Sequence, residues 1–213
     1  MKIEQGGFPM KKLLSLILAL ALCLAAGAAL AEAPQAVYAL NVDTLTLTQG
    51  PVWSYLYFDE AQNEMVELNA TPDWGDNWQF SKQPSVDQVY HSICEWDGVV
   101  YAMPGTWIGK HIDIVAAFTA PRAGTVVIAP MTFVVKDDGN EYPAYQVKIV
   151  KPAAAEGAAD TQLFPAEGEW AQTPAASAGI EAEVAEGDKI YFIVRSGDDG
   201  GAAVSIQPSI AYK

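Results

Sequence analysis

The chain has 213 residues, 26 of them acidic and 12 basic, and its formal net charge at pH 7 is −14. A field of this sign repels nucleic acid and anionic membrane surfaces, and it disfavours polyanionic polysaccharides unless a cation bridges the contact. Acidity also keeps exported proteins soluble, so the charge excludes classes of partner without selecting one. We therefore expect no binding of nucleic acid and no insertion of the mature domain into a membrane.

A secretory signal peptide is predicted at the start of the chain. The stretch MKKLLSLILALALCLAAGAALA, residues 10–31, has two lysines, then an apolar run, then Ala29-Leu30-Ala31, which matches a small-residue cleavage site. We predict that residues 1–31 are removed and that residues 32–213 form one domain, secreted or held in the cell envelope. The codons of Gln5-Gly6-Gly7 can contain a ribosome-binding sequence, which indicates that translation starts at Met10.

Cysteine usage limits how the mature domain is stabilised. Cys94 is the single cysteine left after the predicted cleavage, so no intramolecular disulfide can form in spite of the exported destination. The domain must therefore rely on a hydrophobic core, and its length is sufficient for one.

Strand signals dominate the remaining chain, and no long amphipathic helix pattern lies between them. The predicted strand regions are residues 37–47, 53–58, 112–119, 124–135, 145–150, 189–194 and 203–212. Turn-forming Asp, Gly and Asn clusters separate several of them. Residues 152–179, rich in Ala, Glu, Gly and Pro, are predicted to be mostly a long loop. Many short strands without helical partners predict an all-β, antiparallel β-sandwich with a jelly-roll-like topology.

Three motifs carry a resemblance to a known class of domain. AAFTAPRAGTVVI, VAEGDKIYFIV and QPSIAY resemble strands of carbohydrate-binding-module jelly rolls, which are accessory domains of bacterial secreted and polysaccharide-degrading proteins. The resemblance covers residues 49–213 loosely and implies the same kind of sandwich. The positions that match are core and turn positions, which carry no information on a ligand: Phe118, Pro121, Gly124, Val126, Gly187, Asp188, Ile190, Phe192 and Pro208.

The stretch WSYLYFD, residues 53–59, raises the question of an aromatic binding surface. Side chains alternate along a strand, so Trp53, Tyr55 and Tyr57 share one face, while Leu56 and Phe58 share the other. Tyr and Trp keep a polar group that needs a partner, so we expect Leu56 and Phe58 to face the interior. The three aromatic residues would then line the outer face, covered by the protein's own long loop or by a ligand.

A second aromatic cluster is PDWGDNW, residues 72–78. Sugar sites combine flat aromatic faces with amide and carboxylate groups that bind hydroxyls, and this segment supplies both within five residues. The predicted ligand-binding residues here are Trp74, Asp76, Asn77 and Trp78. The structural alternative is a Gly-Asp-Asn turn whose tryptophans pin the loop to the domain. Trp96 and Trp107 lie in the same connection.

Metal and enzyme signals are weaker. Two acidic turns could offer oxygen ligands to Ca²⁺, although both match ordinary hairpin turns better and neither has EF-hand spacing; their residues are Asp137, Asp138, Asn140, Glu141, Asp198 and Asp199. His91 and Cys94 form an H-x-x-C pair, which is too little for a zinc site. No catalytic residue is predicted. A small hydrolase stays open as a distant alternative, since carboxylates are abundant and Cys94 could pair with a histidine.

The function predicted from the sequence is non-catalytic binding of a neutral glycan or another extracellular surface component through an aromatic platform. No cofactor is expected, with Ca²⁺ as the one candidate. The alternative is a structural or protein-interaction domain of the cell envelope without a small ligand, in which the aromatic residues are covered by residues 152–179 or by a partner chain.

Overall fold

A computed structural model describes residues 36–45, 49–59, 63–71, 79–81, 92–104, 113–137, 139, 145–155, 157–195 and 202–213. The chain divides into two units, Met1–Gln35 and Ala36–Lys213, and every described residue belongs to the second. The predicted signal peptide therefore lies outside the described residues and stays a prediction. Within the described ranges, no helix is long and apolar enough to cross a bilayer.

Eighteen strands and no helix occur in the described part of the chain. The first nine are β1 (Val37–Ala39), β2 (Trp53–Asp59), β3 (Glu64–Glu67), β4 (Asn69–Thr71), β5 (Gln79–Ser81), β6 (Ser92–Trp96), β7 (Val99–Met103), β8 (Asp113–Thr119) and β9 (Gly124–Ile128). The others are β10 (Met131–Phe133), β11 (Gln146–Lys151), β12 (Thr161–Phe164), β13 (Ala171–Gln172), β14 (Ala175–Ser177), β15 (Ile180–Val184), β16 (Lys189–Arg195), β17 (Val204–Ser205) and β18 (Ser209–Tyr212).

The strands pair into four antiparallel sheets. The large sheet has the order β12-β11-β16-β8-β2-β3, and β13 also pairs with β11. The four-stranded sheet has the order β1-β18-β9-β15, the five-stranded sheet β17-β7-β6-β5-β4, and the two-stranded sheet contains β10 and β14. The all-β, antiparallel β-sandwich predicted from the sequence is confirmed. At β8–β9 and at β15–β16, consecutive strands belong to different sheets, and the jelly-roll-like topology stays a prediction.

The core lies between the inner faces of these sheets. Along β8 and β16, Phe118 and Phe192 are fully buried, and across the core Tyr38 of β1 approaches Phe118 with ring centroids 5.8 Å apart. Ile128 of β9 pairs with Ile210 of β18, and both are fully buried. Alternate residues of each strand thus contribute to one continuous hydrophobic core, as the period of two requires.

A tyrosine fixes the turn between β8 and β9. The Tyr212 hydroxyl donates to the Arg122 carbonyl oxygen over 2.6 Å, and the Arg122 guanidinium lies 4.2 Å from the centre of the Tyr212 ring. Gly124 has a φ of +148°, and a Cβ there would lie 3.2 Å from Tyr212 Cδ1. Only glycine combines a positive φ with the absence of a Cβ next to the Tyr212 ring, so the turn that joins the two sheets depends on Gly124.

Residues 152–179 were predicted to be mostly a long loop, and most of this segment lies outside strands. The structure adds the short strands β12, β13 and β14 to it. These strands are two to four residues long and alanine-rich or polar, so they lack the β-branched alternation that marks a strand in a sequence. Residues 124–135 were expected to be continuous, and Pro130 divides them into β9 and β10.

Candidate functional site

The structure places the aromatic side of β2 in the core, so the predicted orientation of this strand is wrong. Trp53, Tyr55 and Tyr57 are 6%, 2% and 6% exposed and belong to the main core. Leu56 lies on the opposite face of the sheet, in a smaller apolar cluster. The prediction placed Trp53, Tyr55 and Tyr57 outside because their polar groups need partners. In the structure, these larger rings fill the space between two sheets better than Leu56 and Phe58 would.

The packing around Trp53 leaves no room for a ligand to stack on it. Its ring centroid lies 5.5 Å from that of Phe118 and 6.0 Å from that of Phe192. Burial raises the pKa of the neighbouring Tyr55 hydroxyl well above its usual value. The Gln49 amide also fixes β2, because it accepts from Tyr55 N over 2.8 Å and donates to Leu68 O over 2.9 Å.

The opposite, Leu56 side of the large sheet is covered by Trp170 from the segment that was expected to cover the aromatic side. Trp170 packs on the cluster that contains Leu56. Lys148 Nζ and Arg195 Cζ lie 4.0 Å and 4.3 Å from the centre of its ring. Arg195 is itself held by two hydrogen bonds to Asp113, of 2.5 Å and 2.7 Å. Trp170 is therefore a structural cover whose ring is already occupied by two cations.

Several predicted site residues lie outside the described residues. They are Trp74, Asp76, Asn77, Trp78, His91, Trp107, Asp138, Asn140, Glu141, Asp198 and Asp199, and their roles stay predictions. Asp137 is described, and its carboxylate accepts a hydrogen bond from Gly139 N, as in an ordinary turn. Over the described ranges, no group of three or more His, Cys, Asp or Glu side chains could hold a metal ion.

Cys94 is a buried residue of β6. Its Sγ lies 3.6 Å from Met103 Sδ, and the side chain is 7% exposed. Burial raises the pKa of the Cys94 thiol to about 11, whereas a nucleophilic cysteine needs a lowered pKa. This environment is that of a structural cysteine.

The described part of the chain presents a different tryptophan, at the hairpin between β6 and β7. Asp97 and Gly98 both have positive φ, 53° and 78°, which is the geometry of a two-residue type I′ turn. Glu95 Oε1 accepts a hydrogen bond of 2.7 Å from Gly98 N. Trp96 stands directly before this turn and pairs with Val99, so a rigid hairpin sets its position.

Trp96 is 39% exposed, one of three large hydrophobic side chains that are exposed in the described ranges. Lys136 Nζ lies 4.3 Å from the centre of the Trp96 ring and 5.8 Å from that of Tyr101. The same ammonium forms a 3.0 Å ion pair with Asp97. Lys136 thus covers one face of the Trp96 indole and links it to Asp97 of the hairpin, so a stacking ligand would have to use the opposite face.

Strand register extends this surface across β7 and β17. Tyr101 pairs with Ser205, so both side chains lie on the face that carries Trp96. Val134 N donates to Ser205 Oγ over 3.1 Å, and the Val134 side chain is 45% exposed. We call the surface formed by Trp96, Tyr101, Val134, Lys136 and Ser205 the Trp96 face. It combines two aromatic rings with hydroxyl and charged groups at its edge.

A groove adjoins the Trp96 face where one β ladder is interrupted. The β9–β18 pairing ends near the hydrogen bond from Ala129 N to Ser209 O, and pairing between the same two stretches of chain resumes at Ser205 N to Val134 O. Pro130 has no N–H to continue the ladder, and β10 pairs with β14 instead. The two stretches therefore separate between these hydrogen bonds.

The groove has a volume of about 410 Å³ and is lined by Pro130, Met131, Thr132, Ala176, Ser177, Ser205 and Gln207. Ser205 belongs both to this lining and to the Trp96 face. Ser177 is 5% exposed, and its Oγ has no hydrogen-bond partner in the described structure. We call this feature the Ser177 groove. None of its lining residues was predicted, because they belong to strands whose separation depends on pairing distant in sequence.

Comparisons with known proteins add little to this geometry. No protein-family model matches the sequence, and no curated protein has a significant match to it. A solved structure of the isomalto-dextranase of Arthrobacter globiformis T6 complexed with panose is similar at 11% sequence identity and a TM-score of 0.28. The match covers 84% of this chain and 33% of that chain, so the chain spans about a third of that enzyme's length. A likeness this weak carries no argument.

Proposed function

We propose that this chain is a non-catalytic binding module that takes a neutral glycan on the Trp96 face. The observation that carries the proposal is the exposed Trp96 ring, which Lys136 contacts together with Tyr101 on one face of the sheet. Aromatic faces stack on the C–H surface of a pyranose, while neighbouring polar groups bind its hydroxyls. Asp97 and Ser205 supply polar groups at the edge of this face.

The net charge of −14 supports a neutral ligand over an anionic one. The proposal keeps the aromatic platform expected from the sequence but builds it on other residues, since Trp53, Tyr55 and Tyr57 are buried. Trp74 and Trp78 lie outside the described residues, and their part in binding stays a prediction. Secretion and membership among carbohydrate-binding modules belong to the same proposal.

The test is a neutral-glycan array followed by calorimetric titration of the glycans that bind. Replacing Trp96 by alanine removes the stacking surface, so we expect the affinity to fall at least about tenfold, or about 1.4 kcal/mol. Trp53→Phe is the matched control, because it changes a core tryptophan and should lower the melting temperature while leaving the affinity unchanged. Unchanged affinity in the Trp96→Ala protein would refute the site.

A second candidate function is a structural or protein-interaction domain without a small ligand. The observation that favours it is the burial of Trp53, Tyr55 and Tyr57 in the core, which removes them as a binding platform. Under this alternative, the folded protein gives a blank array. Replacing Trp96 would then weaken association with a protein partner, which cross-linking at the cell envelope followed by mass spectrometry would identify.

A further inference from the structure

The Ser177 groove is uncharged although the chain around it is strongly acidic. Its seven lining residues include two serines, a threonine and a glutamine, and the rest are apolar. An ion or a metal would find no opposite charge in this lining, so it disfavours charged ligands. Hydroxyl and amide groups beside aliphatic surface are complementary to a polyol, which has hydroxyls on its edges and C–H groups on its faces.

Three lining side chains offer polar groups to a ligand in the groove. Thr132 and Ala176 pair across β10 and β14 and are exposed, whereas the adjacent pair, Met131 and Ser177, faces the core. The Ser177 Oγ is sealed from solvent. A ligand can therefore reach the hydroxyls of Thr132 and Ser205 and the Gln207 amide.

The groove and the Trp96 face share one residue. Ser205 lines the groove and also lies beside Tyr101, and the exposed Val134 connects the two regions along one stretch of backbone. Thr132 and Lys136 are four residues apart on that stretch, which corresponds to roughly 13 Å of extended chain. A ligand that spans both regions must therefore be longer than a single sugar ring.

We propose that the Ser177 groove binds a further uncharged sugar unit of the glycan that stacks on the Trp96 face, so that the ligand is a linear chain of several rings. This inference rests on the proposed function. The Trp96 face supplies stacking to any flat ring, and the groove distinguishes one sugar unit from another through the Thr132 hydroxyl and the Gln207 amide.

The test compares short and long ligands on the same protein. Disaccharides and hexasaccharides of linear glucan, xylan and mannan are titrated calorimetrically against the wild-type chain, and we expect the best hexasaccharide to bind at least about tenfold more tightly than its disaccharide. Ala176→Trp fills the groove from an exposed position and should remove this length advantage while leaving disaccharide affinity unchanged.

A second variant keeps the inference falsifiable if the tryptophan disturbs the fold. Gln207→Ala removes an exposed amide of the groove, so it should reduce hexasaccharide affinity alone and leave the melting temperature unchanged. Gln172→Ala is the matched control, because Gln172 is another exposed glutamine that lies outside the groove. It should leave the length advantage intact.

The outcomes separate the two proposals. Loss of all affinity in Trp96→Ala, together with an unchanged length advantage in Ala176→Trp and Gln207→Ala, overturns the groove and keeps the proposed function. An equal affinity of wild-type protein for disaccharide and hexasaccharide also overturns the groove. Absence of binding to any of the glycans by folded protein overturns both.

Discussion

Charged side chains in this protein stabilise the fold by fixing covers and turns. On the outer side of the large sheet, Arg195 stacks on Trp170 and forms a bidentate pair with Asp113, whose side chain is 8% exposed. At the turn before β16, Asp188 accepts from Ala185 N over 2.9 Å and pairs with Lys151 Nζ at 2.8 Å. The Arg195–Asp113 pair reinforces strands that already pair at these same two residues. The Lys151–Asp188 pair ties the turn before β16 to the end of β11.

The Asp188 carboxylate predicts a specific dependence of stability on pH. The hydrogen bond from Lys151 and then that from Ala185 lower the pKa of Asp188 below its usual value. The folded state therefore holds this proton less tightly than the unfolded state. The stability from Asp188 is complete above the unfolded pKa, near 4, and is lost as pH falls through the lowered folded pKa.

We expect Asp188→Asn to reduce the free energy of unfolding at neutral pH by less than about 1 kcal/mol, because the pair is close to solvent. The difference from wild type should shrink as the pH falls below the unfolded pKa. Urea titrations at a series of pH values measure this difference in the free energy of unfolding. Lys151→Met removes the pair from the other side and should behave in the same way; a difference that grows in acid would contradict the assignment.

At the scale of single elements, the β6–β7 hairpin decides where Trp96 stands. A type I′ turn needs positive φ at both central residues, and Asp97-Gly98 is among the sequences that meet this need most easily. The hairpin is therefore a sequence signal in its own right. The Trp96 ring is the part of the proposed site that depends most directly on it.

The turn gives a prediction for Gly98→Ala. A Cβ at this position meets no atom within 4 Å, so the whole cost is the strain of a positive φ, about 1–2 kcal/mol of unfolding free energy. Thermal and urea denaturation measure it. Gly179→Ala is the control, since Gly179 lacks a positive φ and its Cβ would make ordinary contacts. An equal loss of unfolding free energy in Gly98→Ala and Gly179→Ala would show that the positive φ of the turn is not the cause.

The composition of the individual strands explains why some elements were predicted from the sequence and others were missed. β2, β8, β11 and β16 were found because β-branched and aromatic residues fill them almost continuously. β3 to β7 were missed, although Asp97-Gly98 marks one hairpin, because the surrounding strands are short and mixed in character. The faces of β2 were reversed because a strand with large apolar residues on both sides has no alternation to orient it.

The candidate site was harder to predict than the fold. Trp96 was noted only as part of a long connection, and nothing in its neighbourhood shows that Lys136 lies on its ring. That contact needs residues 134–136 to pair with residues 203–205, as the bridge between Val135 and Val204 does. Contacts between segments so far apart in sequence arise from the whole topology, which local patterns do not determine.

For the molecule as a whole, one continuous core indicates cooperative unfolding. The reactivity of Cys94 can report on this unfolding, because the side chain is buried and burial raises the pKa of its thiol to about 11. At pH 8 only about one such thiol in a thousand is ionised, so reagents have almost no thiolate to attack in the folded state. Labelling should therefore require unfolding.

In a Cys23→Ser background, we expect the rate of Cys94 labelling by an aromatic disulfide to rise with urea in parallel with global unfolding followed by tryptophan fluorescence. Protein that is fully denatured beforehand gives the upper limit of the rate. Rapid labelling without urea would mean that β6 and β7 open locally, which would also weaken the basis for a rigid Trp96.

β18 pairs with β1 on one side and with β9 on the other. This strand, near the last residue of the sequence, thus joins the first described strand to the middle of the chain, and it carries the Tyr212 that fixes the β8–β9 turn. Contacts between residues so far apart in sequence form slowly, because the entropy cost of closing a long loop comes before the free energy that the contacts contribute. The two ladders of β18, and the β8–β9 turn that Tyr212 fixes, therefore cannot form on a ribosome-bound chain until β18 has left the exit tunnel.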